Sequence, residues 1–559
     1  AIGGAITLNF GFVNSAWAIL AVIFVVFLTG LPISYYAAKY GVDIDLLSRG
    51  AGFGYIGSTI ASLIYASFTF IFFALEAAIM SMALQILFGM PLSVAYVISA
   101  LVVLPLVTHG IAYISRFQVW SQPFWIVLQL TPLYFVFTHP DSNLQQWLGF
   151  TGLAGEQGEG FNLLLFGAAS AVLLSLVAQI GEQVDFLRFL PEKPKKGQWR
   201  WWTALILGGP GWILFGALKL FLGSFLAYFA LSQGVSMDLA DDPAHMYNLA
   251  FSLVFDNPTV AVIVACSFVV ISQLKINVAN AYAGSLAWSN FFSRVTRNHP
   301  GRVVWMVFNV AIALLLMELG IYQTIESMLS VYSVIVLAWL SSLTADLLIN
   351  KPLGLSPAHI EFKRSHLYDI NPVGVGSMLI ATFVGFTAHF GWYGETAKAL
   401  GSFIACGLPF ITVPLIGYLT QGRFYLVNNQ QAPIIQSTQC HICENTFDHE
   451  DMSYCPAYQK PICSLCCSLD VRCGDQCRPE GTLSNQSQHF FQRFLTTDLL
   501  RIMTTPMAQF IGVTLSLSVI GAGILFLIYL QVPVDDVDVK RVFANTLVKI
   551  FFLLLIIIG

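Results

Sequence analysis

Apolar runs of about 20 residues recur along almost the whole chain, each long enough to cross roughly 30 Å of hydrocarbon as a helix. In water they would expose more apolar surface than the chain could cover, because 57% of its 559 residues are hydrophobic and only 10% are charged. Lipid must be the solvent for most of it. Runs such as 16–28 are apolar on every face, whereas barrel strands alternate at about ten residues per crossing, so the expected class is all-α and polytopic. A net charge of −4, with no Lys/Arg run interleaved with aromatics, excludes nucleic acid as a partner.

The fragment 1–12 has half the length of a span and reads as the end of a truncated first crossing. Complete spans are expected at 16–38, 54–86, 93–114, 119–138, 161–181, 201–232, 257–283, 302–319, 321–348, 372–395 and 400–419, giving about 12 in a permease-like region 1–420. A polar, cysteine-rich segment follows at 421–500. The region 501–559 holds two extra spans, near 507–530 and 543–559. The chain stops inside an apolar run, so further sequence is expected after Gly559.

Basic residues set the orientation. Lys39 and Arg49, Arg116, the group Arg188 to Arg200, Arg294 to Arg302, and Lys351 to Arg364 fall on alternate loops, which are expected to face the cytoplasm. The opposite loops are acidic or neutral. This places the protein in the plasma (inner) membrane with the cysteine-rich segment cytoplasmic.

That segment holds Cys440, Cys443, Cys455, Cys463, Cys466, Cys467, Cys473 and Cys477. A cytoplasmic location disfavours disulfides. The knuckles Cys440/Cys443 and Cys463/Cys466 have the spacing to close one tetrahedral thiolate site, and zinc is the expected metal. Cys455, Cys467, Cys473 and Cys477 would complete a second, cross-braced site, with His441 or His449 as substitutes if one cysteine is free. Two structural zinc ions would then supply folding energy to a module with little apolar core.

The segment YAAKYGVDIDLLSRGAGFGYIG (36–57) resembles the loop between spans two and three of cytosine and purine permeases, the nucleobase-cation symporter family. The pattern there is an apolar residue, Ala or Ser, Arg, two residues, Phe and Gly; here Phe53 and Gly54 come one residue late. VDFLRF (184–189) resembles the family's Asp-Phe-x-Arg-Tyr/Phe signature, and INVANAYAGSLAWSN (276–290) is similar to its Thr-Asn-x-x-Asn-x-Tyr-Ser stretch. The resemblance implies a five-plus-five inverted repeat with spans one and six broken at mid-membrane, where freed backbone groups line a cavity. Ser175, Ala178, Gln179 and Gly181 stand where span six would break, and Gly3 and Gly4 stand in span one; glycine and serine also serve as packing residues in membrane helices.

In span three, the four-residue spacing puts the Phe72 ring and the Glu76 carboxyl on one helical face. The resemblance gives the aromatic a stacking role and its partner a hydrogen-bonding role, and so implies substrate contacts at Phe72 and Glu76. Phe in place of the family's Trp keeps a smaller stacking surface, while a carboxylate demands N–H donors or a cation from the ligand. Alternatively, Phe72 faces lipid or packs in the core. Gln179, Asn277 and Asn280 complete the expected substrate set. Sodium-coupled members of the family provide hydroxyl oxygens at the positions of Lys275 and Ile276, so the resemblance implies that the Lys275 ammonium replaces the cation and that no sodium binds there. The alternative for Lys275 is a side chain reaching to the cytoplasmic surface. Asp185 and Arg188 read as an interfacial pair, and Trp120, Trp125, Trp147 and Trp392 as interfacial belts.

No nucleophile, base and orienting group occur together, so catalysis within these residues is not expected. Symporter-like spans, a CxxC-rich insert and paired extra helices resemble the membrane half of bacterial hybrid sensor histidine kinases. The favoured reading is a sensor that binds a nitrogen-rich, nucleobase-like solute at mid-membrane and couples it to a cytoplasmic signalling domain or response regulator. The alternative is a stand-alone sodium-independent, proton-coupled transporter. The sequence leaves the oligomeric state open, a homodimer included.

Overall fold

The computed structural model describes residues 1–297, 299–320, 325–427, 438–470 and 472–492, with scattered positions between 505 and 552. The extra spans expected at 507–530 and 543–559 lie outside the continuously described residues. Short connecting helices such as Ile44–Ser48 and Pro243–Ser252 aside, the helices of the bundle are α1 (Ile2–Phe10), α2 (Phe12–Tyr40), α3 (Ser58–Phe88), α4 (Leu92–Thr108), α5 (Ile111–Thr138), α6 (Leu163–Leu187), α7 (Gln198–Ser232), α8 (Pro258–Val295), α9 (Arg302–Glu318), α10 (Ile325–Ala345), α11 (Pro372–His389) and α12 (Gly401–Thr420). Among the described residues, eight helices are long and apolar enough to cross a bilayer alone, and α4 with α5, bent by 115°, pass that test together. The chain is an integral membrane protein.

Local chemistry explains where these helices begin and stop. Asn162, Asn257 and Asn371 each accept a hydrogen bond from a backbone N–H in the first turn of α6, α8 and α11, and proline follows at once in the last two. Gly11, at φ 78°, separates α1 from α2. Gly110, at φ 85°, separates α4 from α5, so the turn lies ahead of the 114–119 boundary expected from hydropathy. Arg116 consequently lies inside α5.

The helices sort by packing. α3 and α8 form the most extensive pair and α9 leans on both; α1 lies against α7, α2 against α6, and α10 against α6, α11 and α12. In its most apolar window 78% of the α10 segment is buried, against 28% for α12, so α10 is central and α12 peripheral. Trp339 of α10 is wholly buried.

The glycines expected at helix breaks serve close approach. In α6 the helix tightens into a 3₁₀ turn at Ser175–Ala178, and Gly181 just beyond lets the Tyr65 ring of α3 come so near that a Cβ would meet it at 2.6 Å. A Cβ on Gly3 would meet the Leu220 backbone of α7 at 2.2 Å.

Residues 438–492 add a small unit. Strands β1 (Met452–Cys455) and β2 (Lys460–Cys463) pair antiparallel with Met452 opposite Cys463, followed by α13 (Ser464–Leu469) and α14 (Leu483–Phe491). This hairpin was not foreseen in an all-α reading; its apolar core is Met452, Ile462 and the cysteines themselves.

Gly181→Val is expected to destabilise the bundle by about 1–3 kcal/mol through overpacking. Adding Tyr65→Ala should return part of that loss, a coupling that a double-mutant cycle of thermal unfolding in detergent would reveal.

Candidate functional site

Span three presents its aromatic face inward. Phe72 is buried, which removes the lipid-facing alternative, and its ring lies 4.6 Å from that of Phe68. Glu76, one turn on and partly buried, has Lys219 of α7 as its opposite charge within electrostatic reach; no direct ion pair joins them among the described residues. The Lys219 ammonium lies 5.2 Å from the centre of the Trp125 ring in α5, a cation–π arrangement. Sequence reasoning passed over Lys219, although a lysine inside the apolar run 212–232 was the available signal. It also placed Trp125 in an interfacial belt, whereas the indole N–H donates to the Ser272 hydroxyl of α8 at 2.8 Å. Trp147 likewise donates to Ser224, at 3.0 Å.

Lys275 lies nearly buried in the middle of α8, tied to α5. Its ammonium donates to the Gln118 carbonyl at 3.0 Å and the Ser121 hydroxyl at 2.8 Å, and the Gln118 amide donates back to the Lys275 carbonyl at 2.7 Å. The side chain therefore turns to a neighbouring helix instead of reaching to the surface. Asn277 and Asn280 are buried and joined by one hydrogen bond of 3.2 Å, and the Asn277 amide nitrogen has no partner among the described residues. A turn of 100° per residue sets these asparagines on a different face from Lys275. Lys219, Trp125, Ser272 and Lys275 thus gather where α5 meets α8, with Glu76 within electrostatic reach of Lys219, while Asn277 and Asn280 lie on another face of α8. Gln179 is partly buried where α6 resumes after its 3₁₀ turn.

The three family-like motifs meet at the end of the bundle that carries the cysteine-rich unit. Asp45, in the short helix Ile44–Ser48 after α2, accepts from Arg294 of α8 at 2.5 Å, from Arg49 at 3.0 Å and from the Ser62 hydroxyl of α3 at 2.7 Å. Arg294 also donates to Ser58. Arg188 pairs with Asp43 at 3.6 Å, while Asp185 accepts from the Tyr65 hydroxyl at 2.9 Å, so no direct ion pair joins Asp185 to Arg188 among the described residues, although the guanidinium stays within electrostatic reach. Burial alone would raise the Asp45 carboxyl, but Arg294 and Arg49 hold it below the usual carboxylate range; burial and the adjacent Asp45 push Asp43 up. The cavity left among these groups is ≈ 10 Å³, room for about one water, so these side chains close tightly on one another. Toward the other end a cleft of ≈ 350 Å³ lies between α6, α10 and α11, with Glu395 and Lys398 exposed at its rim.

In the cysteine-rich unit, the sulfurs of Cys440, Cys443, Cys463 and Cys466 lie within 4.8 Å of one another, with Cys443 and Cys463 at 4.0 Å. A tetrahedral Zn–S bond of about 2.3 Å sets sulfurs about 3.8 Å apart, so these four fit a metal with little movement. Burial would raise the Cys440 thiol, but N–H groups of Cys443, Cys463 and Ile442 bring it down to about 6, favouring the ligating thiolate. Cys455, Cys467, Cys473 and Cys477 gather less tightly: Cys467 is within electrostatic reach of the other three.

No protein-family model and no curated protein matches the chain. Solved structures do. Mhp1, a nucleobase-cation-symport-1 family transporter solved in a closed conformation with bromovinylhydantoin bound, aligns at TM-score 0.50 and 16% identity over 76% of this chain and 91% of its own. Its inward-facing conformation aligns at TM-score 0.51 and 16% identity over 75% and 88%. The chain has the Mhp1 transporter fold.

Asp45→Ala would strand two buried guanidiniums and is expected to cost about 3–5 kcal/mol in chemical or thermal unfolding. Because the folded Asp45 value is depressed, its contribution is complete above the ordinary carboxylate range and is lost as pH falls through the depressed value. Wild-type stability should therefore fall on acidification, and the Asp45→Ala variant should show a shallower fall.

Proposed function

We propose that this chain binds a small, planar, nitrogen-rich solute near mid-membrane, between α3 and the helices facing it. The observation that carries the reading is the buried Phe68–Phe72 pair followed one turn later by Glu76, within a fold shared with a transporter solved with bromovinylhydantoin bound. The rings offer a stacking surface. Glu76 selects for ring N–H donors, and Lys219 adds a cation near it that a carbonyl-bearing ligand would satisfy. Gln179, Asn277 and Asn280 are the further polar contacts, with the unpaired Asn277 amide as the available donor.

Lys275 stands in this reading as a fixed substitute for a bound cation: its ammonium already draws on the Gln118 and Ser121 oxygens. Solute binding is then sodium-independent. The basic loops place the Asp45 end and the cysteine-rich unit, regions 421–500, in the cytoplasm of a plasma (inner) membrane protein. That unit holds structural zinc at the Cys440 set, and the favoured role is a sensor that passes solute occupancy to a cytoplasmic signalling partner of the histidine kinase type. One geometric feature favours the stand-alone transporter instead: tight packing at one end and a cleft toward the other suit alternating access.

Calorimetric titration of the purified protein with nucleobases and hydantoins tests the site. Phe72→Ala and Glu76→Gln should each weaken binding at least about tenfold, equivalent to about 1.4 kcal/mol, with no change when potassium replaces sodium. Unaltered affinity in both variants would reject the site, and steep sodium dependence would reject the role of Lys275. Elemental analysis should give one zinc ion per chain; chelation should unfold the cysteine-rich unit and leave the helical content of the bundle intact.

A further inference from the structure

Several sheltered carboxylates at the end of the bundle that carries the cysteine-rich unit come with guanidiniums. Asp45 has Arg49 and Arg294, Asp369 has Arg478 at 2.8 Å, and Asp475, held at φ 55°, has Arg364 at 2.6 Å. The guanidiniums of Arg49, Arg364 and Arg478 also lie 5.2, 5.4 and 5.5 Å from the centre of the Tyr55 ring. Asp346, just past α10, departs from this pattern: it is wholly buried, and no ion pair reaches it among the described residues. The Lys351 ammonium is within electrostatic reach but donates to the Pro357 and His359 carbonyls, at 2.6 and 3.5 Å.

Counting donors against acceptors shows what surrounds that carboxyl. Asn350, four residues on and wholly buried, commits its amide nitrogen to the Tyr425 hydroxyl at 3.2 Å and the Val413 carbonyl at 3.4 Å, which fixes Oδ1 as the acceptor left over. Tyr425, in the segment after α12, commits its O–H to Asp346 Oδ1. Ser356, buried in the α10–α11 connection, stands beside the carboxyl with Asn350. Asp346 Oδ2, Asn350 Oδ1 and Ser356 Oγ nevertheless have no hydrogen-bond partner among the described residues. One O–H, that of Ser356, is left for two acceptors. Ala345, Val373 and Val413 enclose the group in apolar side chains, where an unsatisfied oxygen is costly.

We propose that these oxygens bind one alkali cation, sodium or potassium, through Asp346, Asn350, Ser356 and Tyr425. An all-oxygen donor set suits a hard cation, and a single carboxylate suits a single charge. An ion in direct contact with the carboxylate feels it more strongly than an ammonium held beyond ion-pair distance, so Lys351 does not displace it. The backbone is shaped for the purpose. The turn Asp346–Asn350 is π-helical, closed by the Lys351 N–H on the Asp346 carbonyl at 3.0 Å, a local widening that recurs at functional sites. Gly417 of α12 makes room for Asn350, because a Cβ there would meet its amide nitrogen at 2.8 Å. The ligands come from the turn after α10, the α10–α11 connection and the segment after α12, none of which carries a residue of the proposed solute site. The ion therefore ties these three stretches together whether or not solute is bound, and the inference stands apart from that site.

The test is equilibrium binding of radioactive sodium, and of radioactive rubidium in place of potassium, to the purified full chain in choline chloride without added solute. Thermal unfolding of the same samples is followed with and without the ion. Wild type should bind one ion per chain and unfold at a higher temperature as that ion is added. Asp346→Asn, which keeps the shape and removes the charge, should weaken binding by about tenfold or more. Ser356→Ala, which removes one neutral ligand, should weaken it by about threefold while unfolding in choline as wild type does. The ion that binds more tightly to wild type is the one the site takes. Binding of neither ion to wild type would overturn the proposal and leave a proton on Asp346 to meet the shortage of donors. Undiminished binding in a folded Ser356→Ala would overturn it as well, by placing the ion elsewhere.

Discussion

Asp45 accepts hydrogen bonds from two guanidiniums and a hydroxyl while almost fully buried, and the remaining geometry at that end of the molecule follows from keeping it so. A buried charge is tolerated only when its partners come with it. Arg49 stands one helical turn beyond Asp45, whereas Arg294 arrives from the last turns of α8 and Ser62 from the start of α3, so two further helices must converge on one carboxylate. The cavity left among them holds about one water.

Much of this architecture was legible in advance. Length and apolarity identified the long helices, and polar caps such as Asn257-Pro258 marked where α8 begins. The motifs at 36–57, 184–189 and 276–290 were recognisable one by one, but their meeting around Asp43 and Asp45 was not, because residue spacing says nothing about which loop ends share a space. For that reason the hydrogen bond from Tyr65 to Asp185, more than a hundred positions away, was not foreseen beside the nearby Arg188. Lys219 escaped notice because one charge barely alters the mean hydropathy of an otherwise apolar segment. The bonds of Trp125 and Trp147 to serines were not foreseen, because composition does not distinguish a free indole from one bonded across the bundle.

The cysteine-rich unit divides in the same way. Spacing identified Cys440/Cys443 and Cys463/Cys466, since a knuckle of that length positions its own two sulfurs. Its attachment to the bundle depends on Arg364, Asp475 and Arg478, ordinary charged residues on connecting segments, which no periodicity sets apart. The backbone conformation of Asp475 is likewise invisible in a sequence, because any residue can be forced to positive φ when its neighbours are held.

The backbone beside Tyr55 has a mechanical consequence. The N–H groups of Tyr55, Ile56 and Gly57 donate to the carbonyls of Tyr368 and Asp369, and the Asn371 N–H donates to the Phe53 carbonyl, stitching the start of α3 to the start of α11. Side chains can exchange partners during a rearrangement, but a run of main-chain bonds resists shear as a short sheet does. At that level α3 and α11 form one lever arm. Any rocking of the bundle has to carry these two helix starts together.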